Sequence, residues 1–233
     1  MIKLLNFLIF CCGASLASFT VCTAFRYQNK ISILTPRSFC DHCRRQLKWW
    51  QLVPVLGWLL QKGRCAFCGH KIPLLSFVLE LIYGSLFIFI SYHSLTRQAF
   101  LLATCLQIWL LLLALEDHYT MHVSSRLLYF GSLLILLQAL PQIYLSCTAS
   151  WLQLLLFFLL CFTFEKMNKL GQADTFCLLV LMLIYGFELG CYILLVATTL
   201  FLLNFYRQGR HTPHAFLPCL TAGFVTLTFL GLI

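Results

Sequence analysis

The sequence predicts an all-α integral membrane protein. About eight transmembrane helices are expected, with one small cysteine-bearing module between the first two. Three observations lead there. Hydrophobic residues make up 61% of the chain and charged ones only 10%, with a mean hydropathy of +0.89, which is far outside the range of soluble domains. Apolar runs of spanning length are separated by short polar turns. The formal net charge of +9 would suggest a nucleic-acid partner in a soluble protein. Here the basic residues gather in one loop, as the positive-inside rule expects, so nucleic acid is excluded as a partner.

The first span is Leu4 to Phe25, an uncharged run; domain one is therefore 1–25. The competing reading is a cleaved signal peptide, because Lys3 precedes the run and small residues occur at 14–18. The strong positive charge after the run argues instead that its far end stays in the cytosol. Gly13, Ser15, Ser18 and Phe19 offer a close helix-packing face.

Residues 26–73 form the second domain, a cytosolic module. It holds Arg26, Lys30, Arg37, Arg44, Arg45, Lys48, Lys62, Arg64 and Lys71 against the single acid Asp41. It also holds Cys40-Asp41-His42-Cys43 and Cys65-Ala66-Phe67-Cys68. Two Cys-x2-Cys pairs at this separation are the pattern of a tetrathiolate zinc site, and Gly69 suits the positive φ of a knuckle. Two disulfides, disfavoured on a reducing side, or four idle thiols are the alternatives. The expected zinc is structural, since four thiolates leave no position for water. His42 and His70 flank the ligands. Between the pairs, Trp49 to Leu60 is too short to span and is rich in Trp. It reads as a segment resting on the membrane surface, as the small core of the module, or as both. The other cysteines, Cys147 among them, lie in or beside apolar runs and behave as small hydrophobes.

The third domain, 74–233, is a seven-helix membrane domain. Its candidate spans are 74–92, 98–116, 126–143, 151–163, 174–186, 190–206 and 215–232, with a turn at Gly186 to Gly190 dividing an otherwise over-long run. Alternate threading from an outside N-terminus places every Lys and Arg except Lys3 and Arg97 on the cytosolic side. It also puts Asp117, at the end of one apolar run, on the same side as Asp174, at the start of another. A lone Asp174 would read equally well as a helix N-cap. A pair of acids at the mouths of two membrane segments reads as functional. Glu80 is a further intramembrane acid that requires a polar partner or a wet cavity.

The order of these features resembles that of the type IV prepilin peptidases, aspartic membrane proteases named for a Gly-x-Gly-Asp motif. The resemblance runs through Gly13 to Arg26, the four cysteines, Leu52 to Trp58, Pro73 and Glu80, Asp117, Gly171-x-x-Asp174 and Phe216-Leu217-Pro218. Ala173 stands where the motif has its second Gly, and Val123-Ser124 where Ile-Pro often follows the first Asp. The resemblance implies that Asp117 and Asp174 are catalytic and Cys40, Cys43, Cys65 and Cys68 hold zinc. The substrate it implies is a pilin-like precursor cut at the cytosolic face of the cell membrane. The departures and compact length suggest the competence-pseudopilus form. Family members often also N-methylate the new N-terminus with S-adenosylmethionine, although this sequence shows no nucleotide-binding signature. Two like charges at hydrogen-bond distance hold one proton between them. The helix-end argument puts that proton on Asp117 and makes Asp174 the base. The basic loop is expected to meet anionic lipid headgroups. The rival readings are a presenilin-type intramembrane aspartyl protease, which lacks the cysteine module, and a transporter or assembly scaffold, which should show internal halves.

Overall fold

The computed structural model describes residues 2–35, 37–146, 151–167, 170–208 and 215–232. Cys147, Lys169 and Arg210, used in the sequence reading, lie outside the described residues. The described chain is helical, and its cysteines are free thiols. The chain divides into two compact units, Met1–His93 and Ser94–Ile233.

In the first unit, α1 (Ile2–Gln28) packs along α3 (Leu74–His93). Small residues allow this closeness. A Cβ on Gly13 would lie 2.5 Å from the Tyr83 carbonyl oxygen, and one on Gly84 would strike the Phe10 ring. The packing face of α1 is Gly13, Ala14, Ala17, Thr20 and Ala24. This corrects the expectation for Ser15 and Phe19, which point outward. A face repeats every three or four residues on a helix, so Ser15 falls off the stripe begun by Gly13. In the last turn of α1, buried Arg26 donates to the carbonyls of Ser32 and Ile33 and ties the chain's exit to the helix end.

Trp49 to Leu60 folds as a lobe, a 3-10 turn (Trp49–Leu52) followed by the short α2 (Leu56–Leu60). Gly57 presses against the Gln51 backbone, where a Cβ would come within 2.4 Å of its carbonyl oxygen. Buried Gln51 accepts from the Lys48 N–H at 2.8 Å and donates to Gln61 at 3.0 Å. Trp58 stacks on Phe77 of α3, with ring centroids 4.4 Å apart. The segment is thus a small core, as one sequence reading expected, with an exposed apolar surface.

The second unit contains α4 (Arg97–Thr120), α5 (Ser125–Ser146), α6 (Trp151–Lys166), α7 (Gln172–Tyr185), α8 (Phe187–Gln208) and α9 (Leu217–Phe229). Thr96 caps α4 by accepting from the Ala99 N–H, and Met121 ends it in the left-handed conformation. Gly186, at φ 91°, separates α7 from α8, where the sequence placed the break. The core is apolar and continuous across α4, α5, α7, α8 and α9. Gly223 brings α9 to within 3.1–3.2 Å of the α8 backbone by the same Cβ measure. Gln107 of α4 donates to Thr228 of α9 inside that core. The outer face of α6 exposes Leu152, Leu155, Leu156 and Leu159, which is what a helix facing lipid presents.

Eight helices of the described chain fall at the eight candidate spans. Four of them (Ile2–Gln28, Leu74–His93, Arg97–Thr120 and Phe187–Arg207) are long and apolar enough to cross a bilayer by length and composition. α7 and α9 are shorter, so the eight-span count exceeds what helix length alone supports. The protein is a multi-pass membrane protein.

Candidate metal centre and carboxylate pair

Each Cys-x2-Cys folds into the same knuckle. The carbonyl of Cys40 accepts from the Arg44 N–H, and that of Cys65 from the Gly69 N–H, both at 2.9 Å. The amides of Cys40 and Cys65 close the turns onto the carbonyls of Arg45 and His70. Isolated bridges, Phe39 with Gln46 and Arg64 with Lys71, brace the two turns. Arg44 and Gly69 occupy equivalent places, at φ 59° and 69°. Glycine takes that conformation freely. Arg44 takes it while its guanidinium lies over the Phe39 ring at 5.1 Å.

The turns bring all four sulfurs together. The Sγ atoms of Cys40, Cys43, Cys65 and Cys68 lie within 4.8 Å of one another, with Cys40 and Cys68 at 3.9 Å. A tetrahedral ion with Zn–S bonds of ~2.3 Å requires sulfurs about 3.8 Å apart, so the donor set fits a metal ion. Hydrogen bonds from the backbone of Cys68 and Phe67 lower the Cys65 thiol to about 7, while, against a hydrogen bond from the His70 backbone, burial and the neighbouring thiols raise Cys68 to about 11, so the first thiolate a metal needs falls on Cys65. His42 and His70 stack on each other with centroids 4.5 Å apart and lie outside the sulfur cluster.

In the second unit the two acids singled out from sequence come to one end of the helices. Asp117 lies in the last turn of α4. Its Oδ2 accepts from the Leu217 N–H, the first residue of α9, at 3.3 Å. Such first-turn amides have no partner within their own helix, and Pro218 follows without an N–H to offer. Asp174 is the third residue of α7, and its carboxylate turns back onto the backbone N–H of Gly171, the N-cap. That is half of a capping box. The charges of the two aspartates interact. The fully buried Cys177, one turn below Asp174, lies within electrostatic reach of both.

Gly171 has φ −75°, so no backbone strain calls for glycine there. Space does: a Cβ would lie 2.8 Å from the Asp174 Oδ2. Ala173, the departure from the motif, is partly buried against the apolar core, where its methyl is accommodated. Around the pair, Gln172 donates to Glu165 at 2.8 Å across the turn from α6. Buried Glu116 accepts from both the N–H and the hydroxyl of Ser124, at 3.1 and 3.2 Å. The role of Leu217 and of Glu116 had no signal in residue type, since one acts through a backbone amide and the other looks like any interfacial acid.

The arrangement holds two carboxylates on rigid helix ends, each with one oxygen engaged by a backbone amide. Two carboxylates so held have the chemistry for general acid and base action.

Comparison with known proteins gives the same direction. The family described as Bacterial Peptidase A24 N-terminal domain matches residues 11–94. The Type IV leader peptidase family matches residues 104–206. A Bacillus subtilis protein named prepilin leader peptidase/N-methyltransferase is 32% identical over 53% of this chain and 50% of its own length. A Legionella pneumophila protein of the same name is 29% identical over 66% and 58%. An Escherichia coli type 4 prepilin-like proteins leader peptide-processing enzyme is 39% identical over 28% and 24%. The chain thus matches about half the length of the first two relatives. No solved structure matches.

Proposed function

The chain belongs to the type IV leader peptidase family, and from that membership we propose that it is a membrane aspartic endopeptidase removing the leader of type IV prepilin-like precursors. One observation supports the chemistry above the others. Asp117 and Asp174, from helices far apart in sequence, lie at one end of the unit with interacting charges.

The reaction follows from two carboxylates sharing one proton. The ionised member takes a proton from water, and the resulting hydroxide attacks the scissile carbonyl. The protonated member donates to the carbonyl oxygen. When the C–N bond breaks, the leaving amine takes a proton from the pair. The scissile bond would lie at the mouth of α4 and α7, where a leader in water meets a helix in lipid.

Cys40, Cys43, Cys65 and Cys68 would hold one zinc ion. With four thiolates it supplies structure and no catalysis. The distribution of Lys and Arg favours the cytosolic side of the cell membrane for both the knuckles and the carboxylates. Bilayer lipid is the other partner. Competence pseudopilins are the precursors to try first, on the strength of Ala173 and Val123-Ser124. The names of the relatives join cleavage to N-methylation. S-adenosylmethionine would be the methyl donor if this chain does both.

The test is incubation of membranes containing the protein with a prepilin-like precursor, followed by mass spectrometry of the product's N-terminus. A new N-terminus between leader and hydrophobic helix is expected, and the same spectrum counts methyl groups. An intact precursor with wild-type protein, beside a cleaved one with a known relative, would refute the proposal.

A further inference from the structure

Glu80 is the intramembrane acid that the peptidase reading leaves without a task. It is 6% exposed, in the second turn of α3. Its Oε1 accepts from Ser76 at 3.2 Å, and its Oε2 accepts from the Val55 N–H at 2.6 Å. Val55 is an unusual recipient of such attention. It lies at φ 63°, ψ −56°, and the Leu56 N–H bonds to the Pro54 carbonyl at 2.6 Å. That is a γ-turn of positive φ, a rare and strained conformation. For a β-branched residue, positive φ is a true outlier. Such strain persists only where the surroundings impose it. The Glu80 carboxylate is the side-chain group bonded to the strained residue's own N–H.

The turn sets how α2 leaves the 3-10 turn. α2 then presents Leu56, Leu59 and Leu60 as one exposed stripe at i, i+3 and i+4, while Gly57 is buried beneath. Trp49 (79% exposed) and Leu52 extend the apolar surface. Exposed Lys48 and Lys62 bracket it, and exposed Arg44, Arg45 and Arg64 lie in the flanking knuckles. An apolar ridge with a tryptophan, ringed by cations, complements a layer of acyl chains under anionic headgroups.

We infer that Glu80 is a positioning residue: by holding the Val55 turn it seats the Trp49–Leu60 lobe as an anchor in an anionic lipid surface. Anchoring is independent of the peptidase reading and needs no substrate.

The test uses the full chain labelled with 5-fluorotryptophan in bicelles, with a Trp49→Phe variant to assign that resonance and spin-labelled phosphatidylcholine as the lipid probe. In bicelles containing phosphatidylglycerol, the Trp49 resonance should be strongly broadened. The broadening should fall at least twofold in Glu80→Ala and at least twofold in wild type when phosphatidylglycerol is omitted. Glu80→Gln, which retains an acceptor for the Val55 N–H, should restore it. The Trp109 resonance, in the second unit, should not move in either variant and reports that the rest of the fold is intact. Equal broadening in wild type and Glu80→Ala, or in neutral and anionic bicelles, overturns the inference. So does a Trp49 resonance broadened by a water-soluble gadolinium chelate alone, which would place the lobe in solvent. One untouched by either probe would mean that protein covers it, and that also overturns the inference.

Discussion

The carboxylate of Asp117 is held by the backbone N–H of Leu217, 100 residues further along the chain. This contact makes α9 part of the carboxylate site. It also places a helix N-terminus against Asp117. From sequence, Asp117 stood at a helix C-terminus and Asp174 at an N-terminus, and the difference assigned the proton to Asp117. In the structure Asp117 faces the N-terminus of α9, and Asp174 lies in the first turn of α7. Asp117 keeps the C-terminal end of α4 beside it and gains the N-terminus of α9, which offsets the helix-end asymmetry.

The consequence is a symmetrical loss. Asp117→Asn and Asp174→Asn should each abolish cleavage, with neither retaining more trace activity than the other, while insertion and metal content stay normal. Single-turnover assays with the two variants side by side measure this. Cleavage by either variant at more than a hundredth of the wild-type rate would contradict the shared-proton mechanism.

Gly171→Ala tests the positioning of Asp174 without touching a charged group. The added methyl meets Asp174 Oδ2 at 2.8 Å, so the carboxylate must rotate away from the N-cap amide. Displacement of a catalytic group by about 1 Å costs on the order of 10²-fold in rate. The expected result is that loss in kcat, with KM and melting temperature near wild type. An unchanged kcat would show that the carboxylate has room to spare.

The knuckles predict a metal whose loss unfolds its own surroundings. Cys65→Ser should lower bound zinc from one equivalent to near zero and make residues 38–72 sensitive to protease. Chelation of the wild-type protein should do the same. Sulfur X-ray absorption and metal analysis check the ligand set, and a wild-type protein with no metal would refute it.

The features legible in the sequence were those written in residue type and spacing. The cysteines of each Cys-x2-Cys converge because the turn that joins them is local. The break at Gly186 shows because an apolar run longer than one span must be divided. The two aspartates stood out because acids at the mouths of apolar runs are costly. Contacts made through backbone amides were not legible. Leu217 gives no hint that its N–H holds Asp117, nor Val55 that it lies on Glu80. Gly171 could be read as a motif residue, but its reason, the space needed by a carboxylate three positions later, is visible only in three dimensions. The knuckle position of Arg44 was missed because an arginine carries no signal for positive φ.

Glu116 adjoins Asp117, and its own task is mechanical. It is buried at the end of α4, and both of its bonds go to Ser124, at the entry to α5. The four residues between α4 and α5 must reverse the chain, and Met121 does so at φ 54° without being glycine. The Thr120 hydroxyl strengthens the reversal by sharing its one proton between the Glu116 and His122 carbonyls, at 2.8 and 2.7 Å. Removing the Glu116 acceptor leaves the Ser124 N–H unpaired, so Glu116→Leu should lower unfolding stability by about 1–3 kcal/mol. Ser124→Ala deletes only the hydroxyl bond and should cost less, about 0.5–1.5 kcal/mol. The two residues share a contact, so the double variant should fall short of the sum. Denaturant unfolding of all four proteins in detergent closes this cycle. Cleavage measured well below the melting temperature should stay within a few-fold of wild type in each. A loss as deep as that of Asp117→Asn, in a Glu116→Leu protein that is still folded, would move Glu116 from the scaffold into the chemistry.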